Sequence, residues 1–154
     1  MRIMFVCLGN ICRSPTAHAI AETIGKQRGD NYVISSSGTS AYHIGQSPDP
    51  RSVHCGLSRG YNLNHIRAQK LEVQDFYTQD YILTMDQQNY LDAKEIMPDD
   101  AHAKLMRLME FHPDSSVNDV PDPYYGGTKG FDKVVSLCEV AITNLFNELG
   151  SVKS

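Results

Sequence analysis

The sequence of 154 residues lacks three features that would place it in a special class of protein. It has no run of the about 18 apolar residues that a membrane-spanning helix needs, its four cysteines form no C-x-x-C pair, and its formal net charge at pH 7 is −4. These absences argue against a membrane span, a disulfide framework and a general nucleic-acid-binding surface. The first residues also lack the layout of a secretory signal peptide. We therefore expect a cytoplasmic protein with reduced thiols, without a membrane or nucleic acid among its partners.

The six histidines show no zinc-type spacing relative to the cysteines or to one another. The sequence therefore predicts no metal site, and it indicates no cofactor. The histidines are His18, His43, His54, His65, His102 and His112.

Length and apolar periodicity predict one α/β domain covering residues 1–154. A domain near this size buries roughly 68–70% of its unfolded surface, which is enough for an ordinary core. Strand-like apolar runs alternate with helical patterns, which predicts a doubly wound domain with a four-stranded parallel sheet flanked by helices. The predicted strands are 2–6, 32–37, 81–85 and 104–109, and the predicted helices are 15–28, 50–60, 86–96 and 131–149. The second of these helices is expected to begin near Asp49-Pro50, and Asp86 is the expected N-cap of the third.

The most informative segment is the loop after the first strand, which reads V-C-L-G-N-I-C-R-S-P from Val6 to Pro15. It follows an apolar run and precedes a helical pattern. Gly9 and Asn10 are the residue types that most readily adopt left-handed backbone conformations. They predict a concave nest of N–H groups with Cys7 at its base.

The start of the following helix adds positive charge to this loop. Ser14 is the predicted N-cap and Pro15 the first helical residue, so the positive end of the helix dipole faces the loop. Such a field favours the thiolate form of a cysteine such as Cys7. Arg13 lies six residues after Cys7, and its planar guanidinium matches two oxygens of a phosphate group. The loop thus predicts an oxyanion site with a nucleophilic thiol.

The motif C-x-G-N-x-C-R-S-P resembles the signature loop of the low-molecular-weight protein tyrosine phosphatases. Later segments resemble the same family and occur in its order, so the likeness runs from Met1 to about Leu149. These segments are S-S-G-T-S at 36–40, G-Q-S-P-D at 45–49, Y-I-L-T-M-D at 81–86 followed by Asn89, and D-P-Y-Y-G at 122–126.

The resemblance implies hydrolysis of phosphotyrosine and small aryl phosphates through a cysteinyl-phosphate intermediate. It implies that Cys7 attacks phosphorus, that Arg13 and the loop N–H groups bind the phosphate oxygens, and that Asp122 acts as general acid and then general base. Proteins that contain phosphotyrosine are the implied substrates, and phosphate and other oxyanions are the implied inhibitors. The phosphate-binding residues are then Leu8, Gly9, Asn10, Ile11, Cys12, Arg13 and Ser14.

The resemblance also implies a pocket for the aryl ring and a set of supporting hydrogen bonds. The expected pocket residues are Leu8, Ile11, Tyr42, His43, Tyr124 and Tyr125. The expected supporting residues are Asn10, Ser14, Ser36 and His65. Within this set, Ser14 is expected to donate to the Cys7 sulfur, and His65 is expected to support Asn10 and Ser36.

Two residues keep an alternative interpretation. An Asp-Pro step commonly begins a turn, and the local sequence at Asp122 alone favours that reading, whereas its coexistence with the thiol loop favours the general acid. Cys12 lies five residues from Cys7, so it is either a redox partner that captures an oxidised Cys7 or a small residue that fills the loop. Cys55 and Cys138 are expected to be structural.

Two other functions compete with phosphatase activity. Arsenate reductases of the same fold share the C-x-G-N-x-C-R-S loop but use further cysteines, one of them just after the third strand. The segment 83–89 here reads L-T-M-D-Q-Q-N and has no cysteine, which disfavours the reductase. A phosphate-binding module or a cysteine phosphocarrier would have no reason to retain Asp122.

Overall fold

Four parallel strands form the sheet in the computed structural model, which describes residues 1–123 and 127–153, the last three as helical backbone only. The spatial order of the strands is β2-β1-β3-β4, and each neighbouring pair is parallel. The strands are β1 at Arg2–Cys7, β2 at Val33–Gly38, β3 at Tyr81–Thr84 and β4 at Lys104–Arg107. The predicted four-stranded parallel sheet is therefore confirmed.

Helices cover both faces of this sheet, as parallel strands require. They are α1 at Arg13–Arg28, α2 at Pro50–Ser58, α3 at Asp75–Thr78, α4 at Gln87–Ile96 and α5 at Gly127–Lys153, with a 3₁₀ turn at Leu108–Phe111. Within the described ranges, no helix is both long and apolar enough to cross a membrane.

The central strand β1 is buried on both sides because its apolar run continues without a polar residue. Ile3 and Phe5 pack in the core cluster that includes buried residues of α1 and α5. Met4 and Val6 point to the opposite face and join a second cluster formed with residues near α3 and α4. This alternation follows from the two-residue period of a strand.

The start of α1 differs from the sequence expectation. The helix begins at Arg13 with Cys12 at the N-cap, and no side chain caps it, so the expected capping by Ser14 is wrong. The Ser14 hydroxyl instead forms hydrogen bonds with tertiary neighbours. Pro15 lies within the first turn, where a missing N–H costs nothing.

Other helix boundaries follow local signals. Asp49 caps α2 by accepting from the N–H of Arg51, and Gly29 ends α1 with a φ of 75°. β4 is shorter than expected because Glu110 accepts from the N–H of Arg107 and begins the 3₁₀ turn. The sequence analysis missed α3, which has four residues.

Candidate active site

Cys7 ends β1, and its side chain forms the floor of the loop that joins β1 to α1. The residue is 3% exposed, and its sulfur accepts a hydrogen bond from the backbone N–H of Asn10 at 3.2 Å. The hydroxyl of Ser14 lies 3.1 Å from the same sulfur. Because a thiolate offers only lone pairs, Ser14 donates this bond whenever Cys7 is ionised.

Asn10 holds the loop in its tight turn. It has a φ of 56°, in the left-handed region where asparagine is one of the favoured residues, as the sequence predicted. Its amide nitrogen donates to Ser14 Oγ at 2.7 Å, and its amide oxygen accepts from the N–H of Gln69 at 3.0 Å. These bonds on both sides of a buried amide fix the turn, and the sequence analysis did not foresee the contribution of Gln69.

Gly9 serves a different purpose from the one expected. It does not have a positive φ, so the expectation of a left-handed glycine is wrong. A Cβ at this position would lie 3.0 Å from Cδ2 of His43. The absent side chain leaves room for His43 against the loop.

Gly38, at the end of β2, lets the loop approach the sheet closely. A Cβ there would lie 2.7 Å from the carbonyl oxygen of Leu8 and 3.1 Å from the nitrogen of Asn10. Both are backbone atoms, which cannot rotate away. The loop conformation therefore depends on a glycine in the neighbouring strand.

The carbonyl groups of the loop accept hydrogen bonds from backbone N–H groups around it. The pairs are Thr39 N to Cys7 O at 2.9 Å, Ser40 N to Leu8 O at 2.9 Å, and Asp49 N to Ile11 O at 2.8 Å. Peptide bonds in the described ranges are trans, so the N–H that follows each carbonyl points the opposite way. The N–H groups of Leu8, Gly9 and Cys12 therefore point away from the surrounding chain.

Arg13 is buried at the start of α1 and is held by two acceptors. Its Nη1 donates to Asp86 Oδ2 at 2.6 Å and to the carbonyl oxygen of Val120 at 3.0 Å, and its side chain is 5% exposed. Burial is the largest single influence on the Arg13 pKa and acts to lower it. The neighbouring groups, first Cys7 and then Asp86 and Asp122, outweigh burial and raise the pKa.

Asp86 carries out two tasks at the carboxyl end of β3. Its Oδ1 accepts from the N–H of Asn89 at 2.7 Å and caps α4, which the sequence predicted. Its Oδ2 binds Arg13, which the sequence analysis missed. One signal in the sequence could have revealed this contact: Asp86 follows a predicted strand, at the same edge of the sheet as the Cys7 loop.

A cavity of about 140 Å³ opens above Cys7. It brings together the thiol, the guanidinium of Arg13 and the exposed Asp122, which lies far from the other two in the sequence. The expected pocket residues among the described ones all line it, and Ser40 is an addition. The lining residues are Cys7, Leu8, Gly9, Ile11, Cys12, Arg13, Ser40, Tyr42, His43 and Asp122. Two further expected pocket residues, Tyr124 and Tyr125, lie outside the described residues.

The expected role of His65 is wrong. His65 Nε2 lies 2.7 Å from Glu22 Oε1, and its side chain is 50% exposed. His18, on α1, takes the position beside Ser36, with its Nδ1 2.8 Å from Ser36 Oγ. The loop-supporting contact to Asn10 comes from Gln69.

The other three cysteines are free thiols in buried positions. Burial, followed by the charge of Asp49, raises the pKa of Cys12 to about 12. Burial also raises the pKa of Cys55 to about 11 and that of Cys138 to about 12. Cys55 donates to Asp132 Oδ1 at 3.0 Å, and Cys138 is fully buried on the core face of α5, so both occupy structural positions as expected.

Known proteins are similar to this chain in sequence and in fold over most of their length. The sequence model of the family described as low molecular weight phosphotyrosine protein phosphatase matches residues 2–154. A protein of that name from Sus scrofa is 40% identical over 140 residues, which cover 88% of this chain and 87% of the relative. One from Schizosaccharomyces pombe is 39% identical over 134 residues, covering 85% of each chain.

A solved structure of a protein tyrosine phosphatase from Entamoeba histolytica, with Hepes in its active site, superposes with a TM-score of 0.94. It is 38% identical, and the match covers 100% of this chain and 99% of that one. The comparison of sequences and the comparison of structures therefore indicate the same family. This chain belongs to the low molecular weight phosphotyrosine protein phosphatase family.

Proposed function

We propose that this protein hydrolyses phosphotyrosine in protein substrates, and small aryl phosphates, through a phosphorylated Cys7. The observation that carries the proposal is the convergence of Cys7, Arg13 and Asp122 on one cavity of about 140 Å³. Such a set supplies a nucleophile, an oxyanion-binding cation and a proton-transferring carboxyl group, which are the side-chain functions that cleavage of a phosphate monoester through a covalent intermediate uses.

The phosphoryl group binds in the loop, above the sulfur of Cys7. The N–H groups of Leu8, Gly9 and Cys12 point away from the surrounding chain and towards the bound oxygens. Arg13 contributes a guanidinium whose Nη1 is already fixed by Asp86, leaving its other N–H groups for the phosphate. These donors stabilise the charge that develops on the non-bridging oxygens in the transition state.

The first chemical step forms a sulfur–phosphorus bond. The Cys7 thiolate attacks phosphorus in line with the ester oxygen, whose bond to phosphorus breaks. Asp122, in its acid form, transfers its proton to this departing oxygen, so that the leaving group is released as a neutral phenol.

The second step returns the enzyme to its starting state. Asp122, now a carboxylate, takes a proton from a water molecule that attacks phosphorus. The sulfur–phosphorus bond breaks, inorganic phosphate is released, and Cys7 leaves as a thiolate. Donation from Ser14 at 3.1 Å stabilises the sulfur as it leaves.

The walls of the cavity favour an aryl ester. Its volume is close to the roughly 150 Å³ of a cavity that admits benzene, and Leu8 and Ile11 give it apolar sides. Cys7 lies at the floor of the cavity and is 3% exposed. A phosphoserine side chain is short, so its peptide backbone would meet the rim of the cavity when the phosphate approaches the sulfur. Tyr42 is 87% exposed and stands at that rim, where it contacts the flanking peptide.

This chain lacks the relay of thiols that the competing function, arsenate reduction, would need. Only Cys7 and Cys12 among the four cysteines line the cavity, whereas Cys55 donates to Asp132 and Cys138 lies in the core. Met85 and Asp86 follow β3, where the reductases have a cysteine. The four free thiols support the further proposal that the protein works in the reducing cytoplasm.

The proposal is tested by assaying wild type, Cys7→Ser and Cys55→Ser on a phosphotyrosine peptide, the matching phosphoserine peptide, and arsenate with a thiol reductant. We expect wild type and Cys55→Ser to turn over many equivalents of the phosphotyrosine peptide, with much slower cleavage of phosphoserine and no reduction of arsenate. Cys7→Ser should be inactive but still bind phosphate. Arsenate reduction that needs Cys7, or activity in Cys7→Ser, would contradict the proposal.

A further inference from the structure

Three side chains from two distant parts of the chain converge beside the sheet, outside the cavity of Cys7. His18 and Glu22 lie four residues apart on one face of α1, and His65 comes from the segment between α2 and α3. The Nε2 of His65 is 2.7 Å from one carboxylate oxygen of Glu22, and the Nε2 of His18 is 3.6 Å from the other. The potential ligand atoms of the three residues all lie within 4.8 Å of one another.

The two carboxylate oxygens of Glu22 face the Nε2 atoms of two different imidazoles. Each Nε2 must either carry a proton or share a cation with that carboxylate, because two lone-pair atoms at such distances repel.

Ser36 orients His18 so that its Nε2 can share a cation with Glu22. The Nδ1 of His18 lies 2.8 Å from Ser36 Oγ, so an Nδ1–H can donate there and leave the Nε2 lone pair directed at Glu22. Metal-binding histidines are commonly fixed in this way by a hydrogen bond at the other ring nitrogen. The His18 side chain is 12% exposed, which limits its choice of orientation.

We propose that His18, Glu22 and His65 form a binding site for a divalent transition-metal ion such as Zn²⁺. Two imidazole nitrogens and one carboxylate oxygen are a donor set that zinc sites use, with water as a fourth ligand. A tetrahedral zinc site places its ligand atoms roughly 3.3 Å apart, so small rotations of the half-exposed Glu22 and His65 close the site. The same two side chains leave an entry path from solvent.

The site lies close to the active-site loop without sharing a ligand with it. Ser36 belongs to β2, and its carbonyl oxygen accepts from Gln69 Nε2 at 2.9 Å. The backbone N–H of Gln69 binds Asn10, the residue that shapes the loop. Two hydrogen bonds, both from Gln69, thus connect Ser36 to the turn at Asn10. Because the metal site shares no ligand with the active-site loop, metal binding can be measured independently of catalysis.

The experiment is titration of Zn²⁺ by calorimetry and of Co²⁺ by visible absorption, both in a Cys7→Ala background so that the reactive thiol contributes nothing. We expect one equivalent of metal to bind, with Co²⁺ bands typical of nitrogen and oxygen ligands and without a thiolate charge-transfer band. His65→Ala and Glu22→Gln should each weaken binding at least 10-fold, and Ser36→Ala by roughly 10-fold or more, as for other residues that orient a ligand.

His102 provides a matched control, because it forms a similar contact of 2.8 Å with Asp80 but has no third ligand nearby among the described residues. His102→Ala should leave the affinity unchanged. The proposal is overturned if no stoichiometric binding occurs, if binding survives Glu22→Gln and His65→Ala undiminished, or if Co²⁺ shows thiolate ligation. Circular dichroism of each variant establishes that it is folded, so weakened binding reports the site itself.

Discussion

The Arg13 guanidinium and the Asp86 carboxylate meet at 2.6 Å although the two residues stand 73 positions apart. This contact ties the start of α1 to the carboxyl end of β3, across the sheet edge where Cys7 lies. Asp86 uses its other oxygen to cap α4 through Asn89. One carboxylate thus fixes both a helix and the cation that is proposed to bind phosphate.

Asp86→Asn separates these two tasks. An asparagine caps a helix as well as an aspartate, but its NH₂ group then faces Arg13 in place of the carboxylate oxygen. Because a hydrogen bond to a charged group contributes about 1.5–3 kcal/mol, we expect kcat/KM on aryl phosphates to fall roughly 10- to 100-fold. Steady-state kinetics measure this fall, and thermal unfolding should show a lower Tm, because the buried Arg13 loses the same hydrogen bond in the folded protein.

Asp86→Ala is the companion variant, since it removes the cap as well. It should lose activity to a similar extent and, relative to Asp86→Asn, a further roughly 1 kcal/mol of stability. Full activity in Asp86→Asn would mean that Arg13 does not need this partner.

Gly38→Ala tests the close approach of the loop to β2. The new Cβ would lie 2.7 Å from the carbonyl oxygen of Leu8, so the loop must shift. Since displacement of reacting groups by about 1 Å can cost 100-fold in rate, we expect kcat/KM to fall by roughly that factor, together with weaker binding of inorganic phosphate.

Gly25→Ala is the matched control for that variant. Its Cβ would meet Phe146 Cε2 at 3.7 Å, an ordinary contact in the interior of α1. Activity should be unchanged, and stability should rise by roughly 0.5–1 kcal/mol. Equal activities for the two alanine variants would show that the loop does not depend on Gly38.

Asp122→Asn distinguishes the general acid from a residue that only forms a turn. Asparagine keeps the size and turn preference of aspartate but cannot supply the proton, so kcat on phenyl phosphates with basic leaving groups should fall by about 10²–10⁴-fold. The rate of the variant should also depend more steeply on the pKa of the leaving phenol. A folded variant that is equally fast on all phenols would remove Asp122 from the chemistry.

Cys12 is proposed to protect Cys7 from irreversible oxidation. Peroxide converts the Cys7 thiolate to a sulfenic acid, and the Cys12 sulfur then displaces water to form a disulfide. Since the pKa of Cys12 is raised to about 12, its thiolate fraction grows with pH throughout the neutral and mildly alkaline range. Disulfide formation should therefore be slow at pH 7 and faster at pH 9.

Peptide mapping after peroxide treatment measures the Cys7–Cys12 linkage, and activity after addition of thiols measures recovery. Wild type and Cys55→Ser should recover, whereas Cys12→Ser should lose activity permanently. Equal recovery in Cys12→Ser would leave Cys12 as a residue that only fills the loop.

Local signals in the sequence were sufficient for most of the fold. The apolar run at 2–6 predicted the strand β1, which the structure buries at the centre of the sheet. Asp49 and Asp86 marked helix starts because capping involves only neighbouring residues. The start of α1 was misplaced because Ser14 forms its hydrogen bonds with Cys7 and Asn10 across the loop. The four residues of α3 were too few to show a helical period.

The site was predictable where its residues are adjacent in sequence and not where they meet through the fold. The Cys7 loop and Arg13 lie within one short motif, so their proximity followed from it. The contact of Arg13 with Asp86, and that of Glu22 with His65 across 43 residues, depend on the arrangement of strands and loops. Spacing alone carries no information about such contacts, which is why the histidine–glutamate cluster was not foreseen.

The covalent intermediate on Cys7 is the centre of the mechanism, and it can be trapped directly. Wild-type protein is mixed with an aryl phosphate, quenched within the first turnover and digested, and the phosphorylated peptide is located by mass spectrometry. We predict phosphate on Cys7 in wild type and none in Cys7→Ala. Turnover without a phosphorylated Cys7, or phosphate on another residue of the wild type, would contradict the account.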